Sequence, residues 1–300
     1  MHDVAVYLSS LPRIADRNRK VDVLTAFAQG AQVAGASTIL QGHYQTVPAK
    51  LAVILGWVGT TIAGPHIQLR KTAIAEQQQT GRKILSIDGS CFKFADLDSI
   101  FLRYSLDGVY YNTNNYANKN STDAKWNVIK KQLNLELQPW RTNGQHILVC
   151  GQRDGGWSMK GLDMPTWTLE TVKQIRQHTD RVIVVRPHPK NPINPGLFKK
   201  FANVRLSTST SLQQDLSNAW ASVFFNSSSC VASVLAGVPV FASDPDCVAW
   251  QVSNTNLEKI EMPLTPAREQ WLWDLSTAHW TDDESRTGLI YNKFQPFLPT

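Results

Sequence analysis

The chain has 300 residues, too many for one small domain and a comfortable length for two of about 150. Its hydrophobic share of 42% and charged share of 18% belong to a globular protein and exclude a disordered one. Lysine and arginine outnumber aspartate and glutamate by six (30 against 24) without any long basic block, which suits phosphorylated small ligands and polyanions alike.

Residues 4–8 form a short β-branched run closed by the polar pair Ser9-Ser10, and predict a first strand. Residues 21–33 have helical spacing, with Val23, Leu24, Phe27, Ala28 and Ala31 on one face and Gly35 as C-cap. Residues 37–40 and 51–55 read as further strands, the second continuously apolar and therefore buried on both faces. A helix over 66–80 ends at Gly81, and a strand over 83–87 runs straight into Asp88-Gly89-Ser90. This alternation predicts a parallel sheet covered by helices on both sides. The Asn-dense stretch within 112–125 has no periodicity and reads as a long loop, either a linker or a substrate-facing segment. A helix over 124–133 then leads to a hinge-like segment, 139–144.

A second series begins with a strand over 145–150 that enters the glycine-bearing loop Gly151-Gln152-Arg153-Asp154-Gly155-Gly156. A helix over 166–178 with Thr166 as cap, a strand over 181–185 and a short strand over 204–206 follow. The pattern continues with a helix near 211–218, a strand over 222–225, a helix over 229–235 closed by Gly237, and a strand over 238–242. Residues 266–280 are an aromatic helix candidate, with Trp271, Leu275, Ala278 and His279 on one face. The expected division is 1–140, 141–265 and a helical tail, 266–300, packing back toward the first domain.

Cys91, Cys150, Cys230 and Cys247 lack any CxxC or zinc-ligand spacing and sit in apolar surroundings, so they read as buried thiols. The N-terminus lacks the pattern of a signal peptide, and the longest apolar stretch, 51–64, is broken by glycines and too short for a bilayer. The expectation is a cytoplasmic protein with no membrane partner. No tight carboxylate or histidine cluster points to a metal.

In parallel α/β sheets ligands bind beyond the carboxyl ends of the strands, which selects the loops after residues 150, 185, 225 and 242. Arg186 and His188 leave a strand end together, and Pro187 and Pro189 stiffen the backbone that aims them. An arginine fork matches phosphate oxygens, and an imidazole can donate from either nitrogen. Asn226-Ser227-Ser228-Ser229 opens a helix after an apolar strand, which suits an anion as well as plain N-capping. The loop 151–156 allows close backbone approach, with Arg153 adding charge, but it has neither GK[ST] nor GxGxxG. Kinase, GTPase and dehydrogenase readings lose ground accordingly.

With Leu235-Ala236-Gly237-Val238-Pro239-Val240 following these two loops, residues 145–250 resemble the donor domain of GT-B glycosyltransferases. Capsule-type sialyl and Kdo transferases and CDP-glycerol phosphotransferases are similar in this pairing. The resemblance implies an α/β chain of two Rossmann-like parallel-sheet domains facing across a cleft. Arg153, Arg186, His188, Asn226, Ser227, Ser228 and Ser229 would hold a nucleotide-sugar diphosphate, and Glu261 or Asp244 its ribose. The whole-chain layout, with Gly81-Arg82-Lys83-Ile84-Leu85-Ser86-Ile87-Asp88 and Gly155-Gly156-Trp157-Ser158, resembles bacteriophage DNA glycosyltransferases.

That second resemblance implies a UDP-sugar as donor substrate, no cofactor, and a monomer acting in host cytoplasm. Its acceptor would be double-stranded DNA bearing hydroxymethylated pyrimidines. An acid of the first lobe would be the general base, Asp88 first and Asp107 second, although Asp107-Gly108 also reads as an ordinary turn. Arg70, Lys71 and Arg82 would contact DNA phosphates, or form a solvated face. Two alternatives stay open. One is a cell-surface or capsular polysaccharide glycosyltransferase or CDP-alcohol phosphotransferase; the other is a non-catalytic sugar-nucleotide or DNA-binding protein.

Overall fold

The computed structural model describes residues 1–10, 17–58, 63–92, 100–109 and 119–300. The chain divides into two units, 1–129 with 272–300, and 130–271. The first stretch runs β1 (His2–Tyr7), α1 (Arg17–Val33), β2 (Thr38–Gln41), β3 (Ala49–Leu55), α2 (Pro65–Gln79), β4 (Lys83–Asp88), β5 (Leu102–Leu106) and α3 (Ala124–Leu133). The second unit holds β6 (His146–Cys150), α4 (Met164–Arg176), β7 (Val182–Arg186), β8 (Val204–Leu206), α5 (Leu212–Leu216), β9 (Ala219–Phe224), α6 (Cys230–Leu235) and β10 (Val240–Ala242). After α7 (Glu269–Ser276) the chain completes the first unit with β11 (His279–Trp280), α8 (Asp282–Arg286) and α9 (Leu289–Phe294).

The first unit is built on a six-stranded sheet in the order β11-β5-β4-β3-β1-β2. β2, β1, β3 and β4 form the expected parallel sheet, and β5 and β11 are added at one edge through antiparallel pairings. β3 shows why a continuous apolar run sits at the centre. Its Leu51, Val53 and Leu55 face a core with α1 and α9, while Ala52 and Ile54 face α2. α1 and α8 approach so closely that a Cβ on Gly30 would lie 1.8 Å from the Ser285 carbonyl oxygen.

The second unit has five parallel strands in the order β10-β9-β6-β7-β8. Ile147, Val149, Ile183, Val185, Ala221 and Val223 form its core with Val172 and Ile175 of α4. α4 starts earlier than expected: Asp163, not Thr166, is the N-cap, and its carboxylate accepts the Thr166 N–H at 2.9 Å. α6 ends in a Schellman turn in which Val238 donates to the Ser233 carbonyl (2.9 Å) and Gly237 to that of Val234 (3.1 Å). Gly237 has φ +72° there, and a Cβ would meet the Pro139 carbonyl oxygen at 2.0 Å.

The segment expected to hinge is held within this unit. Trp140 donates its indole N–H to the Pro266 carbonyl (2.8 Å), and Arg141 donates to the carbonyls of Leu216 (2.6 Å) and Ala219 (3.2 Å). Residues 110–118, most of the expected Asn-dense loop, lie outside the described residues.

Candidate functional site

In the second unit the chain lays down β6, β7 and β8 in one direction, then returns to place β9 and β10 on the other side of β6. The loops after β6 and β9 therefore diverge, and such a switch point is where parallel α/β sheets take ligands. Its floor is a closed polar network. Gln152 donates to the Asn226 side-chain oxygen at 2.8 Å and accepts the Asn226 backbone N–H at 3.3 Å. The Asn226 amide donates in turn to the Ser158 carbonyl (2.7 Å) and to Asp244 (3.4 Å). Lys160, from the β6 side, pairs with Asp244 (2.8 Å) and Asp246 beyond β10. Asn226 is thus a framework residue, spent on holding the two loops together. Asp244, at 4% exposure, is occupied in the same way.

Above that floor, Ser227, Ser228 and Ser229 are half-buried. Ser227 and Ser229 share a hydroxyl–hydroxyl bond of 2.7 Å. The N–H groups of Cys230, Val231 and Ala232 are consumed by the carbonyls of Ser227, Ser228 and Ser229 at 3.1 Å each. What remains is more selective: among the described residues, the backbone N–H groups of Ser227 and Ser228 and the Ser228 hydroxyl have no hydrogen-bond partner. Adjacent open N–H groups form an anion-binding concavity.

The neighbouring β7 loop separates two residues that the sequence presents as a pair. Arg186 donates through Nη1 to Asp215 (2.6 Å), the Ser209 carbonyl (3.2 Å) and the Ser207 hydroxyl (3.5 Å). Asp215 is 4% exposed. Burial opposes its charge, but hydrogen bonds from Ser207, Ser209 and Arg186 outweigh that and hold its carboxyl below the usual range. Arg186 therefore spends Nη1 on a buried carboxylate that it neutralises. His188 accepts the Lys190 backbone N–H on Nδ1 at 3.1 Å, which leaves the proton of a neutral ring on Nε2. The β6 loop runs alongside, with Gly151 donating to the Arg186 carbonyl (2.9 Å).

Arg153 is exposed on the same β6 loop. Glu261 is elsewhere. It accepts from Arg181 (2.9 Å) and Thr179, which precede β7 and so lie at the amino end of the sheet. After β10 the chain turns back, Asn254 bonding the Val240 carbonyl (2.7 Å), and that return carries Glu261 away from the switch point.

In the first unit Asp88 is the last residue of β4, at the carboxyl end of the sheet. Arg103 donates to its Oδ2 at 3.1 Å, and the Gly89 N–H to its Oδ1 at 2.8 Å. Arg103 also donates to the Cys91 sulfur at 3.0 Å. Sequence reasoning missed a neighbour here, His279. It is fully buried, with Nδ1 bonded to the Leu275 carbonyl (2.9 Å) and Nε2 accepting the Cys91 N–H (3.1 Å). Asp107 stands at the opposite end of β4, bonded to Lys83 (2.7 Å) and the Ile84 N–H (3.1 Å), with φ +60°. That is the turn reading, and it separates Asp107 from Asp88.

The three basic residues expected on DNA do not form one patch. Arg70 is 8% exposed and donates to the Ser10 carbonyl (2.9 and 2.5 Å) and the Trp57 carbonyl (3.1 Å), tying together the chain after β1 and β3. Burial lowers its pKa to about 10. Lys71 is exposed on α2, and half-buried Arg82 lies just before β4, at the amino end of the sheet. Among the described residues no group of three His, Cys, Asp or Glu side chains is arranged to hold a metal ion, and no helix is long and apolar enough to cross a membrane.

No protein-family model matches the chain, and no curated protein matches it either. Solved structures do. A beta Kdo 2,7 transferase, KpsC of Thermosulfurimonas dismutans, is similar at 15% identity and TM-score 0.58, over 98% of this chain and 100% of that one. A beta Kdo 2,4 transferase, also KpsC of Thermosulfurimonas dismutans, is similar at 13% identity and TM-score 0.55, over 93% and 90%. The chain shares their fold: mixed α/β, two Rossmann-like units, the GT-B type.

Proposed function

We propose that the chain is a glycosyltransferase that moves a sugar from a nucleotide-activated donor to a hydroxyl of a saccharide acceptor. The observation that carries this reading is the likeness over nearly the whole chain to two Kdo transferases, with both units included. The β9 loop adds chemical support. The N–H groups of Ser227 and Ser228, the Ser228 hydroxyl and Nε2 of His188 are donors suited to the phosphate of the leaving nucleotide. Fixed donors aimed at developing negative charge lower a barrier because they need no reorganisation as the bond breaks.

Asp88 takes the role of general base, with Arg103 and the Gly89 N–H fixing its carboxylate. It would remove the acceptor proton as that oxygen attacks the anomeric carbon and the nucleotide leaves. A saccharide acceptor is preferred to hydroxymethylated DNA because Arg70 is internal and Arg82 lies at the other end of the sheet, leaving no coherent phosphate-binding track among these residues.

The test incubates the protein with a panel of nucleotide sugars, UDP-sugars and activated Kdo among them. One arm offers oligosaccharide acceptors; the other offers duplex DNA containing 5-hydroxymethylcytosine or 5-hydroxymethyluracil. Sugar added to an oligosaccharide, read by mass spectrometry, supports the proposal. Sugar added only to the DNA bases replaces the saccharide acceptor with the DNA one. Donor binding without transfer or hydrolysis in either arm refutes catalysis and leaves a sugar-nucleotide-binding protein.

A further inference from the structure

Cys230 and Cys247 are both fully buried, neither is in a disulfide, and their sulfurs are 3.6 Å apart. They belong to different loops of the candidate site. Cys230 opens α6 directly after Ser229, and Cys247 closes the turn after β10, its N–H bonding the Asp244 carbonyl at 2.9 Å. Cys91 accepts from Arg103 at 3.0 Å, and Cys150 is the last residue of β6. Two sulfurs in van der Waals contact need to close by about 1.5 Å to reach a disulfide bond length, a shift within reach of side-chain rotation and a small backbone adjustment.

We propose that Cys230 and Cys247 form a specific oxidative modification site, a disulfide made by exchange with a small-molecule disulfide. One thiol loses its proton and the thiolate attacks a sulfur of the reagent, releasing one reagent thiol and leaving a mixed disulfide on the protein. The second cysteine, deprotonated in turn, attacks the protein-side sulfur and expels the other reagent thiol. Two protein thiols become one disulfide, one reagent disulfide becomes two thiols, and the two protons and two electrons pass to the reagent.

Burial keeps the pair slow to react, because the first attack requires α6 or the 244–247 turn to open locally. α6 has only six residues, and the turn is irregular, so such opening need not unfold the sheet. Once one sulfur carries the reagent, reclosure returns the other to contact distance and favours intramolecular exchange over a second reagent. The product would tie the start of α6 to the loop carrying Asp244 and Asp246, the carboxylates that hold Lys160 over the site floor. The inference stands on this thiol geometry and does not depend on the glycosyltransferase reading.

The test treats the folded protein with hydroxyethyl disulfide, blocks remaining thiols under denaturing conditions, and maps peptides without reduction. The expected result is a loss of two hydrogen atoms and one dominant cross-linked peptide joining Cys230 to Cys247, reversed by dithiothreitol. Cys230→Ser and, separately, Cys247→Ser should each abolish that peptide and instead retain a mixed disulfide on the remaining partner. If either variant fails to fold, the wild-type map still decides. Cross-links distributed among all four cysteines, or mixed disulfides without the 230–247 link, overturn the proposal. So does a thiol count that stays at four while the denatured protein oxidises readily.

Discussion

The buried His279 makes a quantitative pH prediction for the loop that follows Asp88. Burial, the largest influence, pushes its pKa from 6.5 down to about 3, and the positive charges of Arg103 and Lys125 act in the same direction against the Leu275 hydrogen bond. The folded protein therefore keeps the ring neutral, with Nδ1 donating to Leu275 and Nε2 accepting from Cys91. Protonation would turn that acceptor into a donor facing the Cys91 N–H. An unfolded chain takes up the proton near pH 6.5. The stabilising difference is complete above that value and is lost as pH falls toward the folded pKa, at about 1.4 kcal/mol per pH unit. Between pH 7.5 and 5.0 this amounts to about 2 kcal/mol. Urea unfolding from pH 7.5 to 5.0 measures it, with His279→Gln as the non-titrating reference. His66 and His146, whose pKa values burial also lowers, contribute to both proteins alike, so the difference in slope isolates His279. Parallel stability curves for the two proteins would refute the reasoning.

Gly237→Ala should destabilise the second unit by at least about 2 kcal/mol, read as a lower urea midpoint, because the left-handed cap and the Pro139 carbonyl both exclude a Cβ. Arg186→Ala and His188→Ala should part company. The first strands a buried Asp215 and costs about 3 kcal/mol of stability; the second leaves stability nearly unchanged and weakens nucleotide binding in calorimetry by about 1 kcal/mol. Ser228→Ala should likewise lower nucleotide affinity by about 1 kcal/mol without moving the unfolding transition. Asp88→Asn should lower sugar transfer by at least about 100-fold while donor affinity is kept, and retained turnover would move the base elsewhere.

The elements legible in the sequence are those whose pattern is set locally. The helix over 124–133 ends where its apolar spacing ends, and β8 covers the predicted 204–206. β3 and β6 announce themselves as continuous apolar runs because both faces of a central strand are covered. β5 was hidden by Arg103 and Ser105, polar residues that its neighbours nonetheless bury. The predicted tail helix stops at Ser276, and His279 enters a two-residue strand, since pairing with Arg103 of β5 outcompetes further helix. α8 carried a readable signal in the capping box Thr281 to Glu284, but its short length gave no periodicity to accompany it.

Sequence by itself determined the α/β class and the alternation of strands and helices, and it marked the loops at the carboxyl ends of the second series as candidates for chemistry. It did so because burial periodicity and Ser/Gly/Pro turn chemistry are properties of neighbouring residues. Only the tertiary structure decided which polar side chains in those loops are available. Arg186 is answered by Asp215, 29 positions later in the chain, Asn226 by Gln152, 74 positions earlier, and Arg70 by carbonyls on two other segments. A charge or amide that could bind a ligand looks the same in sequence as one that satisfies a buried partner. The desolvation cost of that partner, which folding must offset, makes the choice.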